Sequence, residues 1–234
     1  MTKTIIALDF ADRKTCLDFL DKFDEPVFVK LGMELTYAEG FGLIDEIKKR
    51  GHKIFLDLKL HDIPNTVKNG MKSLAKKDVD LVNLHAAGGI EMMKQALEGL
   101  EEGSREIGRK RPLCIAVTQL TSTSKDMMND ELLIPGQVQD VVIEYAQNAK
   151  KAGLDGVVCS VHEARKIHQA CGDDFLTVTP GIRLAGNSND DQKRVATPEF
   201  AKKEGCDYIV VGRSITKAQD PKATYDSIEA IMEG

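Results

Sequence analysis

The sequence predicts an α/β protein whose eight strands, each followed by a helix, close into a (β/α)8 (TIM) barrel. Three observations predict this fold. A β-branched apolar run followed by a helical stretch recurs eight times, strand starts lie about 20 to 40 residues apart, and the 234 residues approach the roughly 250 typical of such barrels. No proline-, glycine- or serine-rich linker interrupts the sequence, so we expect a single domain over residues 1–234. An open doubly wound sheet is the alternative, but no G-x-G-x-x-G motif follows the first strand.

Each predicted strand is a short run that is apolar almost throughout, without the alternation of a half-exposed strand. Such runs are typical of strands that are buried on both faces of a parallel sheet. In chain order the runs are residues 4–9, 27–31, 53–58, 81–84, 113–117, 156–159, 176–179 and 208–211.

Helices are predicted in the gaps between these strands. The first, over residues 12–23, places its apolar side chains on one face. Two later helices have clear starts, because Thr197 precedes Pro198 and Asp220 precedes Pro221. Each pair combines a capping side chain with a proline at the first helical position.

The composition excludes several classes of protein. The net charge is −5 and no run of basic residues occurs, so we expect no nucleic-acid partner. No apolar stretch is long enough to span a membrane, and the first ten residues do not resemble a signal peptide, which predicts a cytoplasmic protein without a membrane partner. The five cysteines are odd in number and lack C-x-x-C spacing, so neither a disulfide framework nor a zinc site is expected.

Charged residues cluster where the first three strands end, and this is the end of a barrel that carries the active site. Asp9 ends the first strand, Lys30 lies in the second, and the third leads into Asp57, Lys59 and Asp62. Asp57 and Lys59 are two residues apart, so their side chains point to the same face of the strand. Because an isolated buried charge is costly, we expect Lys30, Asp57, Lys59 and Asp62 to form a chain of alternating charge. A salt-bridge network that only closes the barrel end is the alternative.

The ends of the last two strands predict a phosphate site. Gly181 and Gly212 would let backbone amides approach a ligand, and Arg183 and Arg213 supply fork-shaped donors for phosphate oxygens. Barrels often bind phosphate in these two loops, next to the start of a short helix. The polar loop 184–191 is interpreted as a mobile lid over the phosphate, with a disordered surface loop as the alternative.

Other motifs carry less weight. His85 ends the fourth strand and could form a wall of the pocket, but we interpret it as a structural histidine. The sequence has no HExxH, P-loop or G-x-S-x-G motif, so the common protease, kinase and esterase functions have no support.

With these residues in view, the chain resembles the orotidine 5′-phosphate decarboxylases, which form UMP in pyrimidine biosynthesis. The D-x-K-x-x-D spacing alone is shared by a wider group of barrels, whereas its extension to D-x-K-x-x-D-I-P-N-T, with T-P-G-I-R and V-G-R-S-I-T, is highly specific. The resemblance covers essentially the whole chain, through IALDF, FVKLGME, FLDLKLHDIPNT, VNLHAAGG, VTQLTSTS, DGVVCS, VTPGIR and IVVGRSIT.

The resemblance implies a role for each matching residue. Lys59 would donate a proton to C6 of the pyrimidine, and Asp57 would lie beside the substrate carboxylate. Lys30 and Asp62 would complete the charge network, with Asp62 reaching into the neighbouring site of a homodimer. The substrate would be orotidine 5′-monophosphate (OMP). Asp9 and Lys30 would hold its ribose hydroxyls with help from the partner subunit's Thr66, and Thr121 would contact its pyrimidine. Its phosphate would be bound by Arg183, Gln192, Gly212 and Arg213. The resemblance implies no metal, flavin or pyridoxal cofactor.

Two other functions remain open on the residues. The first is a metal-dependent decarboxylase or aldolase that acts on a sugar phosphate, including a Schiff-base version in which Lys59 would be a nucleophile. The second is a non-enzymatic barrel that binds a phosphorylated nucleotide. The first would need a divalent cation, and the second would bind its ligand without turnover.

Overall fold

The computed structural model describes residues 3–184 and 196–233. Eight parallel strands close into a barrel in chain order, and the eighth pairs with the first. This confirms the predicted (β/α)8 fold, and every predicted strand agrees with an observed one to within two residues. The strands are β1 (Thr4–Ala7), β2 (Phe28–Gly32), β3 (Lys53–Leu60), β4 (Leu81–His85), β5 (Leu113–Val117), β6 (Gly156–Val158), β7 (Leu176–Thr179) and β8 (Tyr208–Val211).

Helices cover the outside of the barrel. They are α1 (Arg13–Leu20), α2 (Met33–Glu39), α3 (Gly42–Lys49), α4 (Pro64–Leu74), α5 (Gly89–Glu106), α6 (Val138–Ala152), α7 (Val161–Cys171), α8 (Pro198–Lys203), α9 (Arg213–Thr216) and α10 (Pro221–Glu233). A 3₁₀ turn (Ala86–Gly88) precedes α5, and a π-helical turn (Met127–Glu131) lies between β5 and α6. No helix among the described residues is both long and apolar enough to cross a membrane.

The predicted helix starts are confirmed by their caps. The Thr197 side chain accepts a hydrogen bond from the backbone N–H of Phe200, and the Asp220 carboxylate accepts one from Ala223 N–H. Asp12 caps α1 in the same way, although α1 ends at Leu20, three residues before the predicted end. These caps satisfy N–H groups that have no partner within the helix.

Apolar side chains form two cores, one between the strands and the helices and one inside the barrel. The inner core is small and is made by Ile5, Ala7, Phe28, Phe55, Leu81, Ile115, Val178 and Val210. The outer core buries the other faces of the same strands, which explains why the strand runs are apolar on both faces.

Helices α4 and α5 pack unusually closely. Gly99 and Gly103 of α5 face the backbone carbonyls of Lys68 and Lys72 in α4, and a Cβ atom at either glycine would overlap those carbonyl oxygens. Lysines of α4 also pair with glutamates of α5, as in the 2.8 Å contact of Lys68 Nζ with Glu102 Oε1. The position of α4 therefore depends on the absence of side chains at two positions of α5.

Carboxylates hold the amino-terminal ends of the odd-numbered strands. Each accepts a hydrogen bond from a backbone N–H at the start of the strand, over 2.7 to 2.9 Å. The pairs are Glu229 with Thr4, Asp80 with Ile54, Asp155 with Cys114 and Asp207 with Thr177. This end of the barrel lies opposite the carboxyl ends of the strands, where active sites of such barrels are found.

Candidate active site

A cavity of about 410 Å³ opens at the carboxyl ends of the strands. Its floor is formed by side chains of the inner core, and its rim by the residues that follow the strands. The polar residues that line it are Asp9, Lys30, Asp57, Lys59, Gln119, Thr121, Ser122, Arg183 and Arg213, together with Gly181 and Gly212. Its volume lies within the range of sites that bind small molecules.

Four of the charged side chains form a chain of alternating sign. Lys30 Nζ lies 3.2 Å from Asp9 Oδ1 and 3.3 Å from Asp57 Oδ2. Lys59 Nζ lies 2.6 Å from the other oxygen of Asp57, Oδ1. The predicted clustering of Lys30, Asp57 and Lys59 thus exists within one chain, and Asp9 is its fourth member.

The two central members of this chain are held in their charged forms. Burial alone would raise the pKa of Asp57, but the charges of Lys30 and Lys59, with hydrogen bonds from Lys59 and Asn83, hold it below its ordinary value. Burial alone would lower the pKa of Lys30, but the carboxylates of Asp57 and Asp9 raise it above its ordinary value. The cavity therefore offers a fixed negative charge between two ammonium groups.

The backbone of β3 departs from a regular strand at the centre of the site. Lys59 has φ +53°, in the left-handed region that L-residues rarely adopt. The pairing of β3 with β4 shifts register between Leu56 and Leu60 at the same place. Asp57 and Lys59 do share the cavity, but the strand alternation from which we predicted this is interrupted between them by a bulge.

Asn83 of β4 is a polar residue of this network that sequence reasoning did not single out. Its side chain is buried, donates to Asp57 Oδ1 over 2.7 Å and accepts from Lys59 N–H over 2.8 Å. The only signal in the sequence is an asparagine within an otherwise apolar strand, which requires hydrogen-bond partners when buried. Ser122, beside Thr121 in the cavity lining, was missed as well.

Asp62 and Thr66 stand apart from the cavity within a single chain. Both are exposed, Asp62 in the loop after β3 and Thr66 in the first turn of α4. The Asp62 carboxylate accepts a hydrogen bond from Ile63 N–H in its own loop. Among the described residues of one chain, the predicted alternating network therefore runs through Asp9, and Asp62 does not join it.

The residues expected to bind phosphate meet at one side of the cavity. Arg183, Gly212 and Arg213 line it, as does Thr121, the residue expected at the pyrimidine. Gly181, also in the lining, has φ +84°, a conformation that favours glycine, and α9 begins at Arg213 as predicted. Gln192 and residues 185–191 of the expected lid lie outside the described residues, and only Leu184 of that loop is described.

Two further predictions concern histidine and cysteine. His85 is half-buried beside His61, with ring centroids 5.6 Å apart, and burial lowers its pKa. The five cysteines are buried free thiols. Within residues 3–184 and 196–233, no three His, Cys, Asp or Glu side chains are grouped so that they could hold a metal ion.

The sequence is similar to those of known proteins over nearly its whole length. The sequence model of the family described as orotidine 5′-phosphate decarboxylase / HUMPS matches residues 2–228. A curated relative from Bacillus cytotoxicus, named orotidine 5′-phosphate decarboxylase, is 58% identical over 231 residues, covering 98% of this chain and 97% of its own. A relative of the same name from Lysinibacillus sphaericus is 57% identical over 232 residues and covers 99% of both chains.

Solved structures with the same fold include two similar proteins. The orotidine 5′-phosphate decarboxylase of Lactobacillus acidophilus superposes with a TM-score of 0.90 at 44% identity, covering 100% of both chains. An uncharacterized conserved protein from Geobacillus kaustophilus superposes with a TM-score of 0.88 at 49% identity, covering 98% of this chain and 100% of its own.

Proposed function

Because the chain belongs to the orotidine 5′-phosphate decarboxylase / HUMPS family, we propose that its cavity decarboxylates OMP without a cofactor, with Lys59 as the central cation. The family membership confirms the resemblance predicted from the motifs. It makes the protein a carboxy-lyase that converts OMP to UMP in pyrimidine biosynthesis. We further propose that residues 1–234 act as one catalytic domain in the cytoplasm.

One observation carries the mechanism: the Asp9–Lys30–Asp57–Lys59 chain lines the same cavity as two arginines. The charge chain suits the reacting end of a nucleotide, and the arginines suit its phosphate. A substrate bound between them would place its carboxylate and ring near Asp57 and Lys59.

Lys59 would stabilise the transition state by its charge. Loss of CO₂ from C6 leaves an electron pair in the plane of the pyrimidine, where no adjacent π system can accept it. Two unit charges 4 Å apart attract each other by about 4 kcal/mol at an effective dielectric constant near 20. Such a fixed cation favours the developing carbanion more than the ground state, and Lys59 Nζ can then transfer its proton to C6.

Asp57 would act on the bound substrate and on Lys59 together. Its Oδ1 contacts Lys59 Nζ over 2.6 Å, which orients the ammonium group. Its ionised form would also repel the substrate carboxylate, and this repulsion would decrease as CO₂ departs. Because Lys30 bonds to the other oxygen of Asp57, the carboxylate cannot easily turn away from the substrate.

Binding at the phosphate would contribute to the rate although it is remote from C6. Arg183, Arg213 and Gly212 line that side of the cavity, and Gln192 is proposed to join them. Asp9 and Lys30 would hold the ribose hydroxyls, and Thr121 the pyrimidine. Binding energy from these remote groups can be used to order the charged residues around the reacting carbon.

We propose a homodimer in which each chain completes the partner's site. Asp62 and Thr66 are exposed on one segment, and Ile63 between them is 67% exposed. In the proposed dimer the partner subunit would cover this segment, including the Ile63 side chain. In the dimer, Asp62 would extend the alternating charge chain beyond Lys59, and Thr66 would help to hold the ribose.

The test follows the ultraviolet absorbance of OMP with purified protein in EDTA. The wild type is expected to remove the orotate absorbance rapidly. Lys59→Ala is expected to lower kcat/KM by at least about 10³-fold, because it removes both a stabilising charge, which contributes about 10² to 10³, and the proton donor, which contributes about 10² to 10⁴. Lys94→Ala, at an exposed lysine of α5, is the matched control and is expected to behave as wild type.

Three outcomes would refute the proposal. No turnover of OMP in EDTA, with activity on a sugar phosphate restored by Mg²⁺, would assign the protein to the metal-dependent alternative. Nucleotide binding without any turnover would assign it to the non-enzymatic one. Borohydride trapping of Lys59 on the substrate would instead indicate Schiff-base chemistry.

A further inference from the structure

Asn83 lies opposite the bulge in β3. The two strands pair at Phe55 with Leu81 and at Leu56 with Val82, and pairing resumes at Leu60 with Leu84. Three residues of β3, 57–59, therefore lie opposite a single residue of β4, which is Asn83. Its exposed fraction is 1%, so its amide must find partners inside the protein.

The Asn83 amide binds the two residues that the bulge displaces. Its Oδ1 accepts from the backbone N–H of Lys59 over 2.8 Å, and its Nδ2 donates to Asp57 Oδ1 over 2.7 Å. The same Asp57 oxygen receives Lys59 Nζ over 2.6 Å. One side chain thus holds the backbone of Lys59 and the carboxylate that orients the end of its side chain.

This arrangement compensates for an unfavourable backbone. A lysine with φ +53° persists only where the surrounding structure holds it there. The Lys59 N–H group is partly buried, and without a partner it would make the same conformation still less favourable. Within the described part of the chain, the register of β3 with β4 skips residues 57–59, and Lys59 N–H donates to the Asn83 side chain.

We propose that Asn83 is a positioning residue for the decarboxylation, which fixes the Lys59 ammonium against Asp57 by hydrogen-bonding to both residues. The proposal rests on the proposed function of Lys59 and extends it to β4. Asn83 is absent from the residues that line the described cavity, so it acts through Asp57 and Lys59 without touching the substrate.

The variants Asn83→Ala and Asn83→Asp test this role. Alanine removes both hydrogen bonds, whereas aspartate keeps the shape and an acceptor for Lys59 N–H but sets a second carboxylate against Asp57. Both are expected to lower kcat about 10²-fold, the loss associated with a displacement of about 1 Å at a reacting group. KM is expected to change less than about threefold, because the phosphate side of the cavity is untouched.

The pH profile of kcat provides a readout that a purely structural role would not move. Among the described residues, the groups that face Asp57 are Lys30, Lys59 and Asn83, and His85 of β4 interacts with it electrostatically. The Asn83 donor is one of the groups that lower the pKa of Asp57. Asn83→Ala removes a donor that favours the ionised carboxylate, so the acid limb of the profile is expected to move to higher pH.

Thr177→Val is the matched control. Thr177 is also a buried polar residue of a strand, and it hydrogen-bonds to Asp207 at the opposite end of the barrel. We expect this variant to lower the melting temperature while kcat and its pH profile stay at wild-type values. If the Asn83 variants behave like Thr177→Val, with reduced stability and unchanged kcat and pH profile, the proposal is wrong.

Crystal structures of wild type and Asn83→Ala separate this proposal from the proposed function. The expected result is a residue 59 outside the left-handed region and a distance from Lys59 Nζ to Asp57 Oδ1 beyond about 4 Å, too long for a hydrogen bond. An unchanged ion pair would overturn the role of Asn83, even if the wild type decarboxylates OMP. If the wild type does not decarboxylate OMP, an altered ion pair in Asn83→Ala still shows that Asn83 holds Lys59 against Asp57. Failure of both variants to fold would make Asn83 purely structural and would also overturn the proposal.

Discussion

Asp57 has a lysine ammonium group at each of its carboxylate oxygens, at 3.3 Å for Lys30 and 2.6 Å for Lys59. Its exposed fraction is 7%, so little water screens these contacts. Removing one member of a buried charged network costs more than the network contributes as a whole, because the remaining charges stay buried without a counter-charge.

Asp57→Asn is therefore expected to lower the free energy of unfolding by about 3 kcal/mol and to abolish most of the decarboxylase activity. Urea unfolding and the OMP assay measure the two effects. Asp18→Asn is the control, since the pair of Asp18 with Lys14 is exposed, and it is expected to change the unfolding free energy by less than about 0.5 kcal/mol. An Asp57→Asn protein as stable as wild type would contradict this account of the network.

The lowered pKa of Asp57 predicts how the difference in unfolding free energy between wild type and Asp57→Asn depends on pH. Since the folded pKa lies below the ordinary value of 3.8, the stabilisation is present above pH 3.8 and is lost as the pH falls through the folded value. We expect the stability difference between wild type and Asp57→Asn to stay constant from about pH 5 to pH 8 and to shrink in more acidic solution. Urea unfolding between pH 3 and pH 8 checks this, and a difference that grows on acidification would have the wrong sign.

For the individual residues of the site, the sequence predicted which residues take part better than it predicted their geometry. Asp9, Lys30, Asp57, Lys59, Arg183 and Arg213 were predicted at the strand ends, and all of them line the cavity. The left-handed conformation of Lys59 was not predicted, because nothing in a lysine signals positive φ. The role of Asn83 was missed because it depends on a register shift between two strands, which no local pattern records.

Strands were the elements best predicted from the sequence, since burial on both faces gives continuous apolar runs with polar ends. Helices were predicted less completely. The gap between β2 and β3 holds two helices, α2 and α3, separated at Gly40 with φ +68°. The π-helical turn over Met127–Glu131 had no signal in the sequence pattern.

The close contact of α4 with α5 predicts how a substitution in α5 would change the stability of the protein. In an isolated helix, Gly99→Ala would increase stability by about 1 kcal/mol. Here the new methyl group would overlap the carbonyl of Lys68, and overpacking of this kind costs about 1–3 kcal/mol. We therefore expect Gly99→Ala to lower the unfolding free energy, as measured in urea.

Activity is expected to fall as well, because α4 carries Thr66 and begins next to the Asp62 loop, and both residues are proposed to serve the partner's site. Lys94→Ala on the exposed face of α5 is the control, with stability and activity near wild type. A stabilised Gly99→Ala protein would show that α4 can move away without cost.

The whole molecule is proposed to function as a dimer, and mixing two inactive variants tests this directly. On this proposal, Lys59→Ala and Asp62→Ala would each damage every site of their own homodimer. In a mixed dimer, one site combines the intact Lys59 of one chain with the intact Asp62 of the other. Random exchange makes half of the dimers mixed with one intact site each, so about one quarter of wild-type activity is expected.

The measurement is OMP turnover after the two variants are unfolded together and refolded. Lys59→Ala refolded with wild type is the control, and its activity is expected to follow the number of intact Lys59 residues alone. If the mixture of the two variants stays as inactive as its components, Asp62 does not serve the partner's site.

The left-handed backbone at Lys59 sets two selective pressures against each other at one position. A chain selected only for folding would gain from glycine there, because glycine adopts φ +53° without the strain that any other side chain brings. A cell that depends on its own pyrimidine synthesis would retain lysine in spite of that strain. Drift toward glycine at residue 59 would therefore mark a descendant that had kept the barrel and abandoned the reaction, and its greater stability would be a sign of lost function.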